Sequence, residues 1–188
     1  MVLASASPRR RELLQSAGID FVAVPAGGAE IDDASLGCTG LVMANARAKA
    51  LEVASARPRE IVLGADTLVW LDGRPLGKPA DLDSARDMLA ALSGRIHEVV
   101  TGVHVVRLDP LRQIEFHETT RVRFRMLDDA VIGDYLARVD VLDKAGAYAL
   151  QEHGGMLVES VEGSRSNVVG LPLERTLAAL RHFAEGLP

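Results

Sequence analysis

The sequence predicts an α/β or α+β protein: a mixed twisted sheet with flanking helices, either undivided or split into two lobes around a cleft. Strand-like and helical stretches alternate without the strict βαβ order of an all-parallel sheet, and several strand-like runs are joined by hairpin signals. With 188 residues, 48% of them hydrophobic, the chain can bury a real core. No repeats or low-complexity linkers interrupt it, so residues 1–188 read as a single domain.

Val2 to Ala4 is a first short strand, followed by Ser5-Ala6-Ser7-Pro8 and a helix from Arg9 to Ala17 that Gly18 ends. Ser7 is a good N-cap and Pro8 suits the first helical position. A polar loop leading into a helix start that bears Arg9, Arg10 and Arg11 offers amides and positive charge to an anion. A capped helix with a solvated arginine face is the plainer alternative, but first-turn arginines oppose the helix dipole and need a reason to be there. Phe21 to Val24 is a strand. Pro25 to Gly40 is Gly-rich and acidic and reads as a mobile loop carrying Glu30, Asp32 and Asp33. From Thr39 to about Ala56 a helix buries Leu41, Ala44, Ala48 and Leu51. Arg47 borders that stripe and Lys49 lies farther round, so if either points into a cleft the spacing favours Arg47.

The stretch Ile61 to Pro79, IVLGADTLVWLDGRPLGKP, is the densest in chemistry. A buried strand passes Gly64-Ala65 and places Asp66 inside an apolar run, where an isolated carboxylate is costly to desolvate. Asp72-Gly73 marks a hairpin, and Lys78 lies on its returning arm. An acid bonded to backbone amides at a strand end is the plain reading; an acid and a lysine on two arms of one hairpin also suit a site. Asp81 or Asp83 caps a helix through about Leu92, and Ile96 to Leu108 is a strand. From Gln113 to Arg125 the residues alternate, with Ile114, Phe116, Thr120, Val122 and Phe124 on one face. Glu115, His117, Thr119, Arg121, Arg123 and Arg125 form a solvated opposite face. Asp128 or Asp129 starts a helix to about Val139. DKAGAYALQ, residues 143–151, is a loop entering a strand, with Gly146 allowing close backbone approach and Gln151 supplying an amide suited to a base edge. His153-Gly154-Gly155 is a turn, Met156 to Val161 a strand, and Leu173 to about Ala184 a closing helix.

Charge and composition exclude several classes. The net charge of -5 argues against a general nucleic-acid binder, despite Arg121, Arg123 and Arg125. Cys38 is the only cysteine, so neither an intrachain disulfide nor a cysteine zinc cluster forms. His97, His104, His117, His153 and His182 lack metal-binding spacing, and there is no GxSxG elbow. The opening MVLASASPRR reverses the order of a signal peptide, and no apolar run reaches about 18 residues, so a cytoplasmic protein without a membrane partner is expected. Cations at Ser5 to Arg11, Arg47 and Lys78, beside the carboxylates Glu30 and Asp66, are what triphosphate chemistry needs. Carboxylates hold a hard divalent cation or take a proton from water, and cations offset charge on phosphate oxygens.

LASASPRRRELL, VLGADTLVWLDGRPLGKP, LSGRIHEVVTGV, DKAGAYALQEHGG and VVGLPL, in this order, closely resemble the Maf family of nucleoside triphosphate pyrophosphatases, over nearly the whole chain. The resemblance implies an α/β fold of the inosine triphosphate pyrophosphatase-like kind, with two lobes around a cleft. It implies hydrolysis between the α and β phosphates, dependent on a divalent metal cation such as Mg²⁺ or Mn²⁺, with a role in cleansing nucleotide pools and links to arrest of cell division. By position, Asp66 matches the proposed proton acceptor, Ser5, Ser7 and Arg10 the phosphate-side loop, and Lys78 a site lysine. Glu30 matches the acidic residue after the second strand, with Ala29 where an Asp is common. Arg47 stands where the family usually carries a lysine, which puts a proton-transfer role there in doubt, since Arg stays protonated. Glu30 and Asp66 are the metal candidates. Arg9, Thr67 and Gln151 match the specificity positions of the dTTP and UTP type, whose amide and hydroxyl suit the O4 and N3–H edge of uracil or thymine. Nucleoside triphosphates are thus the expected partners, with no nucleic acid, and a homodimer is left open. The alternative is a non-catalytic nucleotide-binding regulator of septum formation.

Overall fold

The computed structural model describes residues 1–185. In chain order it contains β1 (Val2–Leu3), α1 (Pro8–Ser16), β2 (Val22–Ala23), α2 (Gly37–Ala56), β3 (Val62–Leu71), β4 (Arg74–Leu76), α3 (Leu82–Leu92), β5 (Ile96–Leu108), β6 (Leu111–Phe124), α4 (Asp129–Arg138), β7 (Val158–Glu162), α5 (Arg165–Val169) and α6 (Leu173–Glu185). Among the described residues one mixed sheet has the order β2-β1-β3-β5-β6-β7, with β4 also paired to β3. β1 is parallel to both β2 and β3, while β3/β4 and β6/β7 are antiparallel. The expected α/β fold with a mixed sheet and flanking helices is therefore present. No described helix is long and apolar enough to cross a membrane.

The chain divides into two compact units, and β3, β5 and β6 contribute residues to both. The first comprises residues 1–67, 101–118 and those from 170 on. Its central strands β1, β3 and β5 are covered on both faces, which is why VLGAD at the start of β3 is buried at every position. Val2, Ala4, Val62 and Val106 pack with Ala50, Val53 and Ala54 of α2. The alternate residues Leu3, Leu63, Ala65, Val103 and Val105 pack with Leu14 of α1 and with Leu171 and Phe183, the latter on α6. Burying each such leucine contributes about 1.5–3 kcal/mol.

Glycines on two strands set how closely α2 approaches. A Cβ on Gly64 would lie 2.4 Å from the Ala46 carbonyl oxygen, and one on Gly102 would lie 2.5 Å from that of Val42. The buried residues of α2 are Leu41, Val42, Asn45, Ala46, Ala50, Val53 and Ala54. Of the expected stripe, Leu41 is buried, Ala44 and Leu51 are half-buried, and Ala48 is exposed. The phase was hidden because α2 carries alanine on several faces, and alanine gives little apolar signal. At 3.6 residues per turn the buried stripe contains Lys49 and leaves Arg47 roughly 120° away.

The second unit comprises residues 68–100 and 119–169. Leu89 and Leu92 of α3 and Ile132 and Tyr135 of α4 share a core with Val69, Leu71, Val99, Val122 and Phe124. Asp81 and Ser84 form a capping box at α3, and Asp128 caps α4. Asp72 and Gly73 both have positive φ (49° and 78°), as a two-residue hairpin requires. Along β6 the expected alternation holds, the outward face being exposed throughout. His97, Phe124 and Tyr148 meet edge-on, and His97 Nε2 lies 2.8 Å from the Tyr148 hydroxyl. Burial lowers the His97 pKa to about 4, so the ring is neutral at pH 7.

Residues 143–151 do not enter a strand. Ala145–Ala147 makes a 3-10 turn with Gly146 at φ 68°, a second turn spans Gly154–Met156, and β7 begins only at Val158. Gly146 does allow close approach: a Cβ there would sit 3.1 Å from the Val69 side chain, and its amide donates to the Gly77 carbonyl at 3.0 Å.

Candidate active site

β1 ends into Ala4-Ser5-Ala6-Ser7, and α1 begins at Pro8 with Ser7 as N-cap, its hydroxyl accepting from the Arg10 amide at 3.4 Å. Ser5 Oγ accepts from the Ser7 amide at 3.2 Å and from Arg10 Nη1 at 3.1 Å. Arg10 is buried, and its other hydrogen bonds also go to neutral oxygens: Nε to the Gly170 carbonyl at 2.8 Å and Nη2 to Thr67 Oγ1 at 3.0 Å. Burial lowers the Arg10 pKa, opposed by the charge of Asp66. A guanidinium held by neutral groups keeps its charge for an anion, and this accounts for an arginine in the first turn of α1.

On the α2 face of β3, Asp66 follows Gly64 by two residues and so shares its side of the strand. There Lys49 Nζ donates to Asp66 Oδ1 at 2.6 Å and to Glu30 Oε1 at 2.7 Å. The Asp66 side chain is only 9% exposed and that of Lys49 20%, whereas Glu30 is 63% exposed. The close seating of Ala46 and Ala50 on Gly64 brings this part of α2 against the strand.

Spacing favoured Arg47 as the α2 cation, with Lys49 on a solvated face; the structure reverses that preference. Arg47 Nη2 pairs with Glu115 Oε1 of β6 at 2.6 Å, and His104 Nδ1 lies 3.2 Å from the same carboxylate. Arg47 holds the Glu115 carboxyl below its ordinary pKa, while burial pulls His104 down. The phase of α2 is the cause, because the buried stripe carries Lys49 to Asp66.

The first unit thus gathers Ser5, Ser7 and Arg10 at the start of α1, and Glu30, Lys49 and Asp66 at β3. Arg9, also at the start of α1, is half-buried. Thr67 points to the opposite face from Asp66. Besides accepting from Arg10, its hydroxyl lies 2.9 Å from Thr101 Oγ1 and donates to the Gly170 carbonyl at 3.3 Å. Lys78 and Gln151 belong to the second unit and are exposed. The β3/β4 ladder ends at the Val69–Leu76 pair, so Lys78 lies two residues beyond it. Lys144, near Gln151 in sequence, is buried and pairs with Asp143 at 2.8 Å and Glu152 at 3.3 Å.

Sequence reasoning missed Lys49, Asn45, Thr101 and Gly170. Gly170, whose φ of 129° few other residues adopt, offers its carbonyl to Arg10 and Thr67 and lay in sight within VVGLPL. Thr101 likewise lay within LSGRIHEVVTGV, whereas Asn45 carried no local signal.

No cluster of three or more metal-ligating side chains occurs among the described residues. The donor set is instead two carboxylates, Glu30 and Asp66, already bridged by one cationic group. That suits Mg²⁺ or Mn²⁺, whose shells one or two carboxylates share with water and substrate phosphates.

The family model described as Maf-like protein matches residues 1–183. A dTTP/UTP pyrophosphatase of Akkermansia muciniphila is 47% identical over 180 residues, 96% of this chain and 94% of the relative. One from Anaeromyxobacter sp. is 48% identical, covering 100% and 91%. A human protein named as a probable bifunctional dTTP/UTP pyrophosphatase/methyltransferase is 46% identical over 92% of this chain, which spans 30% of that relative. The chain belongs to the Maf family.

Proposed function

We propose that the protein hydrolyses dTTP and UTP between the α and β phosphates, releasing the nucleoside monophosphate and pyrophosphate. One observation carries the reading: a buried guanidinium bonded to neutral oxygens, in the same unit as a buried carboxylate that shares a lysine with a second acid. The names of relatives at 46–48% identity agree with it.

In this reading Arg10, Ser5 and the Ser7 end of α1 bind phosphate oxygens, and Arg10 offsets the charge that builds as the bridging bond breaks. Asp66 accepts the proton of the attacking water, whose oxygen joins phosphorus as pyrophosphate leaves. Lys49 orients Asp66 through its 2.6 Å hydrogen bond. Glu30 and Asp66 would hold a divalent cation, which when bound supplies charge neutralisation to the phosphates. Lys78 is assigned a phosphate contact. Gln151 takes the base-reading role, because its amide both donates and accepts as the O4 and N3–H edge demands, and Arg9 joins it as a donor. Thr67, engaged with Arg10, serves by holding the guanidinium. We take residues 1–188 as one catalytic domain acting in the cytoplasm, where nucleoside triphosphates are held.

A nucleotide panel with Mg²⁺ or Mn²⁺ and pyrophosphate detection tests the assignment. Release from dTTP and UTP in preference to purine nucleotides is expected. Release only from purine nucleotides would reverse the base preference.

A further inference from the structure

The segment between β2 and α2 was expected to be mobile, yet side chains of one helix tie it down at both ends of its glycine-rich part. Asn45, only 4% exposed, makes two opposed hydrogen bonds to a single backbone residue. Its Oδ1 accepts from the Ile31 amide at 2.7 Å, and its Nδ2 donates to the Ile31 carbonyl at 3.1 Å. The Glu52 carboxylate accepts from the Gly27 amide at 2.7 Å and the Gly28 amide at 3.0 Å. Between these anchors, Lys49 reaches Glu30. Asn45, Lys49 and Glu52 are spaced i, i+4 and i+7, one stripe of a helix.

We propose that residues 27–31 form a strap preorganised on α2, and that Asn45 and Glu52 are positioning residues that fix where the Glu30 carboxylate stands for a substrate-bound divalent cation. This rests on the reading of Glu30 as a metal-binding acid. The glycines fit the scheme, because two adjacent amides can converge on one carboxylate only where the chain lies close against it: a Cβ on Gly28 would lie 2.9 Å from Glu52 Oε2. Asn is suited to position 45 because it matches an amide and a carbonyl at once, whereas Asp would leave the carbonyl unpaired and Leu would leave both. Preorganisation of this kind removes the entropy that a flexible acid loses on binding metal.

The test compares the wild type with Glu52→Ala, a surface change, and Asn45→Leu, which keeps size and loses both hydrogen bonds to Ile31. Two readouts are taken on each: amide hydrogen exchange at Gly27, Gly28 and Ile31, and the Mn²⁺ concentration dependence of pyrophosphate release from UTP. Glu52→Ala is expected to speed exchange at Gly27 and Gly28 at least tenfold, and Asn45→Leu, which removes the acceptor of the Ile31 amide, to do so at Ile31. Both should raise the half-saturating Mn²⁺ several-fold, while kcat at saturating Mn²⁺ stays within about threefold of wild type. Wild-type exchange in both variants overturns the strap. Fast exchange with an unchanged Mn²⁺ dependence overturns its link to the metal. Glu30→Gln serves as the reference: a wild-type Mn²⁺ dependence there overturns the reading of Glu30 itself, whatever the strap variants do.

Discussion

Lys49 and Arg47 carry the same charge two positions apart on one helix, yet they meet different acids. Lys49 lies in the buried stripe and bridges Asp66 to Glu30; Arg47, 51% exposed, bridges to Glu115. The consequence for activity is a difference between two otherwise similar changes. Lys49→Met should lower kcat/KM for UTP at least tenfold more than Arg47→Met does, with thermal melts confirming that both variants fold. Equal losses would return the α2 role to Arg47. Asp66→Asn removes the proposed proton acceptor without changing side-chain volume. A fall in kcat of about 10²–10⁴-fold is expected, the usual span for a general base, with KM much less affected.

At the scale of elements, the contact between α2 and β3 decides whether those side chains meet. Gly64 and Gly102 leave no room for a methyl group against the helix backbone. Gly64→Ala should therefore destabilise the protein by about 1–3 kcal/mol, the range for overpacking. It should also lower activity more than that loss explains, because Lys49 would be moved away from Asp66; chemical denaturation and UTP kinetics on the same sample check both. Elements whose chemistry is local were legible in the sequence. Ser7 and Pro8 announce the start of α1, Asp72-Gly73 announces its hairpin, and strict alternation announces the outward face of β6. The phase of α2 was not, because alanines blur which face is apolar and only docking on two strand glycines selects it. Nor was the strap, whose anchors pair helix side chains with the backbone of a distant loop residue, Asn45 with Ile31 among them. Asp66 and the first-turn arginines stood out in advance because a buried acid and cations at a helix start are anomalous, while the family resemblance singled out Arg10 and Glu30 among their neighbours. Lys49 was ranked behind Arg47, since its place on the helix read as a solvated face.

For the molecule as a whole, stability should respond to pH through a buried histidine. His97 lies in the core of the second unit with its pKa lowered to about 4, and it is neutral when folded. Unfolded, it takes a proton near its ordinary value of about 6.5. The unfolded state therefore binds more protons between these values, and stability present above pH 6.5 is lost as pH falls towards 4. By this linkage the folded state should lose about 2 kcal/mol between pH 7 and pH 5 through His97 alone. His97→Gln, which cannot titrate, should flatten that part of the curve, as measured by denaturation at each pH; an unchanged slope would show that other groups set it.

The central claim concerns which phosphate bond is broken. Phosphorus NMR of UTP incubated with the purified protein and Mn²⁺, quenched with a chelator before acquisition, reads this directly. The account predicts UMP and pyrophosphate in equal amounts, with neither UDP nor orthophosphate formed early. UDP with orthophosphate, or no turnover of UTP and dTTP at any metal concentration, would contradict it.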